Sequence, residues 1–203
     1  MYIKLHQLSK RYGYQWVLKD INYELTTNNI YGISGRNGSG KSTLIKLLSG
    51  HLTASEGSIQ YLQEGQIIPP SKFYSFFSWV GPYTELIQEF TVEEMFHFHL
   101  NFKKFSTNIT FSQFLDILGW QKNTNKQIRF LSSGMNQKLQ LAFAFLSHCE
   151  VVLLDEPTSY LDEMAKKWFE QILNDNKKEK LIVISSNDKF DLQLCDTIIS
   201  LDK

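Results

Sequence analysis

The sequence predicts an α/β fold in which helices cover the faces of a mostly parallel sheet. Two short apolar runs, at 151–154 and 180–185, have the composition of strands that are buried on both faces. Between them, residues 163–175 have the spacing of an amphipathic helix. Because a strand, a helix and a strand in succession are typical of a parallel sheet, these runs indicate the α/β class.

The other elements are predicted in chain order from the same patterns. Residues 30–34 form a short buried strand that runs into a Gly-rich turn, and residues 43–49 form a helix with Gly50 as its C-terminal cap. Residues 133–148 have a long helical pattern with apolar side chains on one face. Residues 197–201 are predicted as a third buried strand.

Length and composition bound the class of protein. With 203 residues, 42% of them hydrophobic and 21% charged, the chain suits one globular domain with a real core. Residues 83–130 lack buried strands and are predicted to be a helical sub-lobe inserted in the α/β core. Because 21 basic side chains balance 21 acidic ones, the zero net charge argues against nucleic acid as the main partner.

The sequence also favours a soluble protein of a reducing compartment. Cys149 and Cys195 are too few for a disulfide framework, and the N-terminus has no apolar signal segment. The uncharged stretches fall short of the roughly 18 residues that a membrane span needs. The five histidines do not have the spacing of metal ligands, so we expect no metal other than Mg²⁺.

A glycine-rich motif suggests a phosphate site. Residues 35–43 fit G-x-x-x-x-G-K-[ST], in which glycines allow close backbone approach and a helix N-terminus offers N–H groups. Lys41 is predicted to reach the β- and γ-phosphates of a nucleotide and Ser42 to hold Mg²⁺. A chance match is the alternative, but the motif lies between a predicted strand and a predicted helix. The predicted nucleotide-binding residues are Gly35, Asn37, Gly38, Ser39, Gly40, Lys41, Ser42 and Thr43.

Two acids follow the apolar run at 151–154. The end of that strand is predicted to place Asp155 at the carboxyl edge of the sheet, next to the phosphate loop of a neighbouring strand. Asp155 suits a water-mediated contact to Mg²⁺, and Glu156 suits a general base or water-orienting group at a γ-phosphate. The alternative is an ordinary pair of solvated acids at a strand end. The presence of the Lys41 motif in the same chain favours the functional interpretation.

A second candidate anion site precedes the long helix. In the octapeptide at 131–138, either Ser132 or Ser133 could be a helix N-cap, which is the purely structural interpretation. The functional interpretation is a helix N-terminus that offers a hydroxyl and Gly134 to an anion.

Together these residues resemble the nucleotide-binding domain of the ATP-binding cassette (ABC) ATPases. The phosphate loop resembles the Walker A motif, L-S-S-G-M at 131–135 resembles the signature, and L-L-D-E-P at 153–157 resembles Walker B. S-Y-L-D at 159–162 resembles the D-loop. Tyr12 matches the aromatic side chain that stacks on adenine in this family, with an ordinary strand-end tyrosine as the alternative.

The resemblance covers essentially the whole chain and implies its layout. It implies a P-loop NTPase core with a mostly parallel sheet, an N-terminal antiparallel β sub-lobe and an inserted helical sub-lobe. Residues 1–203 would be a single ABC ATPase domain, with its catalytic core at 1–82 and 131–203 and the helical sub-lobe at about 83–130.

The family also implies a mechanism and partners. Two cassettes pair head to tail, so Ser133 and Gly134 would contact the γ-phosphate bound by Lys41 of the other cassette. Closure on ATP and opening after hydrolysis would drive a separate integral-membrane permease. The resemblance thus implies ATP and Mg²⁺ as cofactors, a homodimer or heterodimer of cassettes and no nucleic acid. It places the chain in the cytoplasm, peripheral to the inner face of the membrane through the permease.

The sequence departs from the family pattern at two positions. Pro82 stands where the family usually has glutamine and lacks both a side-chain acceptor and an N–H. Gln88 lies six positions further on, too far to be assumed as a substitute. Asn187 stands where the family has histidine, and its neutral amide cannot carry a proton or a charge. With a catalytic set of Glu156, Lys41 and Asn187, we predict ATP binding and slow hydrolysis.

Residues 73–105 are rich in aromatic side chains, and in the family this stretch faces the membrane subunit. We expect most of them to fill the interface between the lobes and at least two to be exposed as a docking patch. Those singled out are Phe73, Tyr74, Phe76, Phe77, Trp79, Tyr83 and Phe90.

Competing functions are an ATP-gated regulatory switch with low turnover, which Pro82 and Asn187 favour, and a soluble ABC protein of translation or DNA repair.

Overall fold

The computed structural model describes residues 1–69, 72–82, 84–120 and 126–202. Elements are numbered in chain order. They are β1 (Tyr2–Tyr12), β2 (Gln15–Thr26), β3 (Ile30–Ser34), α1 (Lys41–Leu48), β4 (Glu56–Gln63), β5 (Gln66–Ile67), α2 (Phe73–Phe76), β6 (Phe77–Val80), α3 (Val92–Phe102), α4 (Phe111–Leu118), a 3-10 turn (Ile128–Phe130), α5 (Ser133–Leu146), β7 (Val151–Asp155), α6 (Glu163–Asn176), β8 (Leu181–Ser185), α7 (Lys189–Gln193) and β9 (Thr197–Ser200).

The strands of the described residues form two sheets. Four strands form an antiparallel sheet in the order β2-β1-β4-β5, and five form a sheet in the order β6-β7-β8-β3-β9 whose neighbours all pair in parallel. Side chains of the parallel strands alternate between two cores: Val151 and Leu153 pack towards α1 and the antiparallel sheet, whereas Val152 and Leu154 pack towards α5 and α6. The predicted α/β class is therefore confirmed.

The two central strands fit the prediction, and the last strand does not. All residues of β7 and β8 are buried, as their continuous apolar runs indicated. In β9, however, only Ile199 is buried, so the prediction of a third fully buried strand is wrong. The reason is its position, because β9 is an edge strand that pairs, among the described strands, only with β3.

The order of strands corrects one further prediction. Asp155 ends β7, which pairs with β6 and β8 but not with β3, the strand that leads into the phosphate loop. The expected adjacency of the two strands is therefore wrong, because β8 lies between them. Both strands nevertheless end at the same level, since Asp155 and Ile33 each pair in register with Ser185.

The segment between β6 and α5 contains the helices α3 and α4. Each begins with a capping box, made by Thr91 with Glu94 and by Thr110 with Gln113. Their buried aromatic side chains, among them Phe96 and Phe114, form a core of their own with residues of α5. No helix in the described ranges is long and apolar enough to cross a bilayer.

Aromatic side chains at 73–105 are more buried than predicted. Among those that the structure describes, only Phe102 is strongly exposed, at 75%. Phe77, Phe96 and Phe105 are buried, and Phe73, Phe76, Trp79, Phe90 and Phe98 are half-buried. Tyr83 and the side chain of Tyr74 lie outside the described part of the chain. The expectation of at least two exposed aromatic side chains is therefore not met by the described residues.

Candidate functional site

The loop between β3 and α1 folds around the side chain of Lys41. Gly38 and Gly40 adopt φ values of 84° and 104°, a region that side-chain-bearing residues rarely occupy. A Cβ on Gly40 would lie 2.8 Å from Leu18 Cδ2, so the loop packs tightly against β2. Lys41 is only 7% exposed, and its Nζ donates to the carbonyl oxygen of Gly35 at 2.7 Å. The ammonium group thus lies inside the loop, at the N-terminus of α1.

Two contacts fasten this loop from elsewhere in the chain. The N–H of Arg36 donates to Asp202 Oδ1 at 2.9 Å, just beyond β9. The side-chain amide of Asn187 donates to Asn37 Oδ1 at 2.7 Å. The structure therefore brings the predicted catalytic Asn187 to the rim of the phosphate loop. Sequence patterns gave no signal for Asp202, because only the folded topology brings β9 beside β3.

Asp155 is the buried acid of the site. It is 3% exposed, and its Oδ1 makes no hydrogen bond to any residue in the described ranges. A buried carboxylate oxygen without a donor is unfavourable unless a cation or water satisfies it. Ser42, one residue into α1, is exposed and adds a hydroxyl oxygen. Carboxylate, hydroxyl and water oxygens are the ligands that Mg²⁺ prefers, so these residues fit a magnesium site.

Glu156 follows with an unusual backbone. Its φ of 53° is in the left-handed region, and its N–H donates to the carbonyl oxygen of Ser185 at 2.8 Å. The Ser186 hydroxyl donates to Glu156 Oε2 at 3.1 Å. Because both partners come from the end of β8, the intervening strand is what positions the acid. Strained backbone of this kind recurs at functional sites.

A third carboxyl group lies behind Glu156 and was not predicted from the sequence. Burial raises the pKa of Asp191; the nearby Ser186 and Thr158 hydroxyls offset part of this rise, and the negative charges of Asp188 and Glu156 add to it. The only signal for Asp191 in the sequence is its place in the segment after β8. That segment gives no indication that the side chain turns inward.

Pro82 occupies a tight turn beside the acids. The Thr84 N–H donates to the carbonyl oxygen of Gly81 at 3.0 Å and closes the turn. Pro82 is the second residue of this turn, a position that the fixed φ of proline favours. A Cβ on Gly81 would lie 3.2 Å from that of Asp155, so this turn borders the predicted magnesium site. Pro82 itself is exposed and offers no polar side chain. Gln88 instead donates to the carbonyl oxygen of Leu86 at 3.0 Å.

The signature segment begins α5 and leaves one of its two serines available. Ser132 is the N-cap, since its hydroxyl accepts from the Met135 N–H at 3.2 Å, and Ser133 is exposed. A Cβ on Gly134 would lie 2.6 Å from the carbonyl oxygen of Tyr160, so the signature packs closely under the D-loop. The exposed Ser133 at a helix N-terminus is suited to an anion carried by another molecule.

Tyr12 lies at the far end of β1, where the β1–β2 hairpin turns. Its ring is 51% exposed, and Lys10 Nζ lies 5.4 Å from the ring centroid. The sheet that carries Tyr12 packs against Gly40 of the phosphate loop. The exposed ring can therefore stack on the base of a nucleotide whose phosphates occupy that loop. Its role in binding adenine stays a prediction.

Among the described residues there is no cluster of three or more His, Cys, Asp or Glu that could hold a metal ion.

The fold and these motifs define an α/β protein of the P-loop nucleotide-binding class. The sequence profile of the family described as ABC transporter matches residues 18–159, and the chain belongs to that family. The predicted family membership and its ATP-binding character are therefore confirmed.

Relatives and solved structures agree with this assignment. The ABC transporter ATP-binding protein YybJ of Bacillus subtilis is 29% identical over 98% of this chain and 92% of its own length. An ABC transporter ATP-binding/permease protein of Haemophilus influenzae is also 29% identical, but the chain spans only 38% of that relative. A solved ABC transporter ATP-binding protein from Pyrococcus furiosus superposes with a TM-score of 0.83 at 26% identity, over 99% of this chain and 98% of the other.

Proposed function

We propose that this chain binds and hydrolyses ATP as the motor subunit of a transporter whose permease is a separate polypeptide. The observation that carries the proposal is the convergence of Lys41, Asp155 and Glu156 at one edge of the parallel sheet. The Lys41 ammonium group and the first N–H groups of α1 would hold the phosphates. Glu156, oriented by Ser186, would accept a proton from the attacking water.

Ser42 and Asp155 are the residues that would hold Mg²⁺ in this arrangement. When bound, the ion would neutralise charge on the β- and γ-phosphates. The remaining contributions belong to the chain itself. Lys41 adds a positive charge from within the loop, and Asn187 is a neutral donor at the loop rim.

We further propose that cassettes dimerise on ATP and that residues 1–203 act as one domain. Support comes from the exposed hydroxyl of Ser133, which lies at a helix N-terminus and is accessible to a nucleotide bound by another cassette. The division into a core at 1–82 and 131–203 and a helical sub-lobe at about 83–130 agrees with the separate aromatic core around α3 and α4.

A groove at the C-terminal end of α3 is the proposed docking place for the permease. It encloses about 600 Å³, and its floor includes Phe98 and Phe105. Exposed Phe102 lies at its edge together with Lys103 and Lys104. The described residues that line it include no Asp or Glu. An amphipathic helix of the permease with an acidic end would bury its apolar face here and pair with the exposed Lys104, since Lys103 already donates to the carbonyl oxygen of Phe77.

The test is co-purification from detergent-solubilised membranes of the native host. We expect the tagged wild type to retain an integral-membrane protein and Phe102→Asp to lose at least about 90% of it, because a charged side chain at an apolar contact is poorly tolerated. Ile67→Asp, at an exposed apolar side chain on β5, is the matched control and should retain the partner. ATPase activity with no membrane protein recovered from any variant would favour the soluble, non-transport alternative.

An ATP-gated switch with little turnover is the second candidate, and Pro82 and Asn187 are the observations that favour it. If Asn187 limits turnover, Asn187→His should raise the ATPase rate by about tenfold, because histidine can donate to the γ-phosphate as a cation and shuttle a proton. The measurement is steady-state phosphate release, with Asn187→Ala as the control that removes the amide without adding a ring. Equal rates in all forms would show that this position does not control hydrolysis.

A further inference from the structure

The lysine beside Tyr12 makes two contacts at once. Lys10 Nζ lies over the Tyr12 ring at 5.4 Å from its centroid, within the roughly 6 Å over which a cation is attracted to an aromatic face. The same ammonium group donates to the carbonyl oxygen of Thr53 at 2.8 Å. Because this hydrogen bond fixes where the charge lies, the attraction acts on the ring from a defined place on one of its faces.

The end of β1 is fastened to the turn that contains Thr53. The Ser55 N–H donates to the carbonyl oxygen of Ser9 at 2.9 Å. This turn follows α1, and the Leu52 N–H donates back to the carbonyl oxygen of Lys46 in that helix at 3.0 Å. Since α1 begins at the phosphate loop, the group that attracts the ring is tied to the element that would bind the phosphates.

We propose that Lys10 is a positioning residue that holds the Tyr12 ring with one face towards its own ammonium group and the other towards the base of a bound nucleotide. Tyr12 is 51% exposed, so a base can reach the ring. An unattached ring at a hairpin turn would have to be ordered when the base stacks on it, which weakens binding. Lys10 orders the ring before ATP binds. The inference rests on the proposed function, because it concerns how ATP is held.

The test measures the affinity of the whole chain for two probes, a non-hydrolysable ATP analogue and inorganic tripolyphosphate, by calorimetric titration. Lys10→Met should bind the analogue about two- to fivefold more weakly than the wild type, as expected for loss of an exposed cation–π contact. Its affinity for tripolyphosphate, which has no base to stack, should be unchanged. An equal loss for both probes would overturn the proposal, because Lys10 would then act through its charge on the phosphates.

Three further variants separate the contact with the ring from a general effect of charge. Lys10→Arg keeps a cation for the ring, so its affinity for the analogue should stay within about twofold of the wild type. Lys19→Met removes one exposed positive charge from β2 of the same sheet and should bind both probes as the wild type does. In the Tyr12→Leu background, Lys10→Met should cause no further loss. Additive losses in that double variant would overturn the proposal.

Thermal unfolding shows whether each variant is folded. If Lys10→Met does not fold, Lys10→Gln takes its place, since it lacks the charge and keeps an N–H donor. A wild type that binds neither probe would overturn the proposed function and this inference with it. A wild type that binds both, with Lys10→Met equal to it in affinity for the analogue, would overturn the inference alone.

Discussion

Glu156→Gln is expected to lower ATP turnover by about 10²–10⁴-fold while ATP binding is retained, because a positioned general base contributes about that factor. The amide has nearly the same shape as the carboxylate and can still accept from Ser186, so the backbone at φ 53° should not change. Without a base, bound ATP should persist and hold the cassettes together. The measurements are phosphate release and the mass of the ATP-bound species by size-exclusion chromatography with light scattering.

A matched control for this variant is Glu163→Gln on α6, whose side chain is exposed and forms a 3.8 Å ion pair with Lys166. Surface pairs of this kind contribute about 1 kcal/mol or less, so its turnover should equal that of the wild type. If wild type and Glu156→Gln are equally inactive and both dimerise on ATP, the switch becomes the better account. Equal and substantial turnover in both would show that Glu156 is not the base.

Local patterns predicted the parts of the site that a continuous segment encodes. The phosphate loop, β7 with Asp155 and Glu156, and the start of α5 each combine a motif with its own strand or helix. The observed bounds differ from the expected ones by a few residues. The helix predicted at 43–49, for example, begins at Lys41 because left-handed Gly40 can serve as its N-cap.

Contacts between distant segments could not be predicted in this way. The position of β8 between β3 and β7 is a property of the sheet order, which no single segment encodes. The same order creates the contacts of Ser186 with Glu156 and of Asp202 with Arg36, which join residues 30 and 166 positions apart. Burial of Asp191 arises likewise from packing of α7 against the core, whereas its charge would predict exposure.

The departures from the family pattern have different structural consequences. Asn187 keeps a polar contact to the loop through Asn37, so this position still links the end of β8 to the phosphate site. Pro82 replaces a flexible polar side chain with a rigid turn next to Asp155. Because both positions border the phosphate site, the prediction that both lower the rate of hydrolysis stands for each of them.

Lys41→Met is expected to weaken ATP binding by about 100-fold. Methionine has a similar length but no charge, so the variant loses charge-assisted hydrogen bonds to phosphate, each worth about 1.5–3 kcal/mol. It also loses the 2.7 Å bond from Nζ to the Gly35 carbonyl oxygen inside the loop. Calorimetric titration with a non-hydrolysable ATP analogue gives the affinity, and thermal unfolding shows whether the loop change alters stability.

Lys178→Met is the control for this variant, because Lys178 is an exposed lysine beyond the end of α6, away from the loop. Its affinity for the ATP analogue should equal that of the wild type. If Lys41→Met bound the analogue within about threefold of the wild type, the positive charge inside the loop would not be what holds the phosphates. The N–H groups at the start of α1 would then have to account for ATP binding alone.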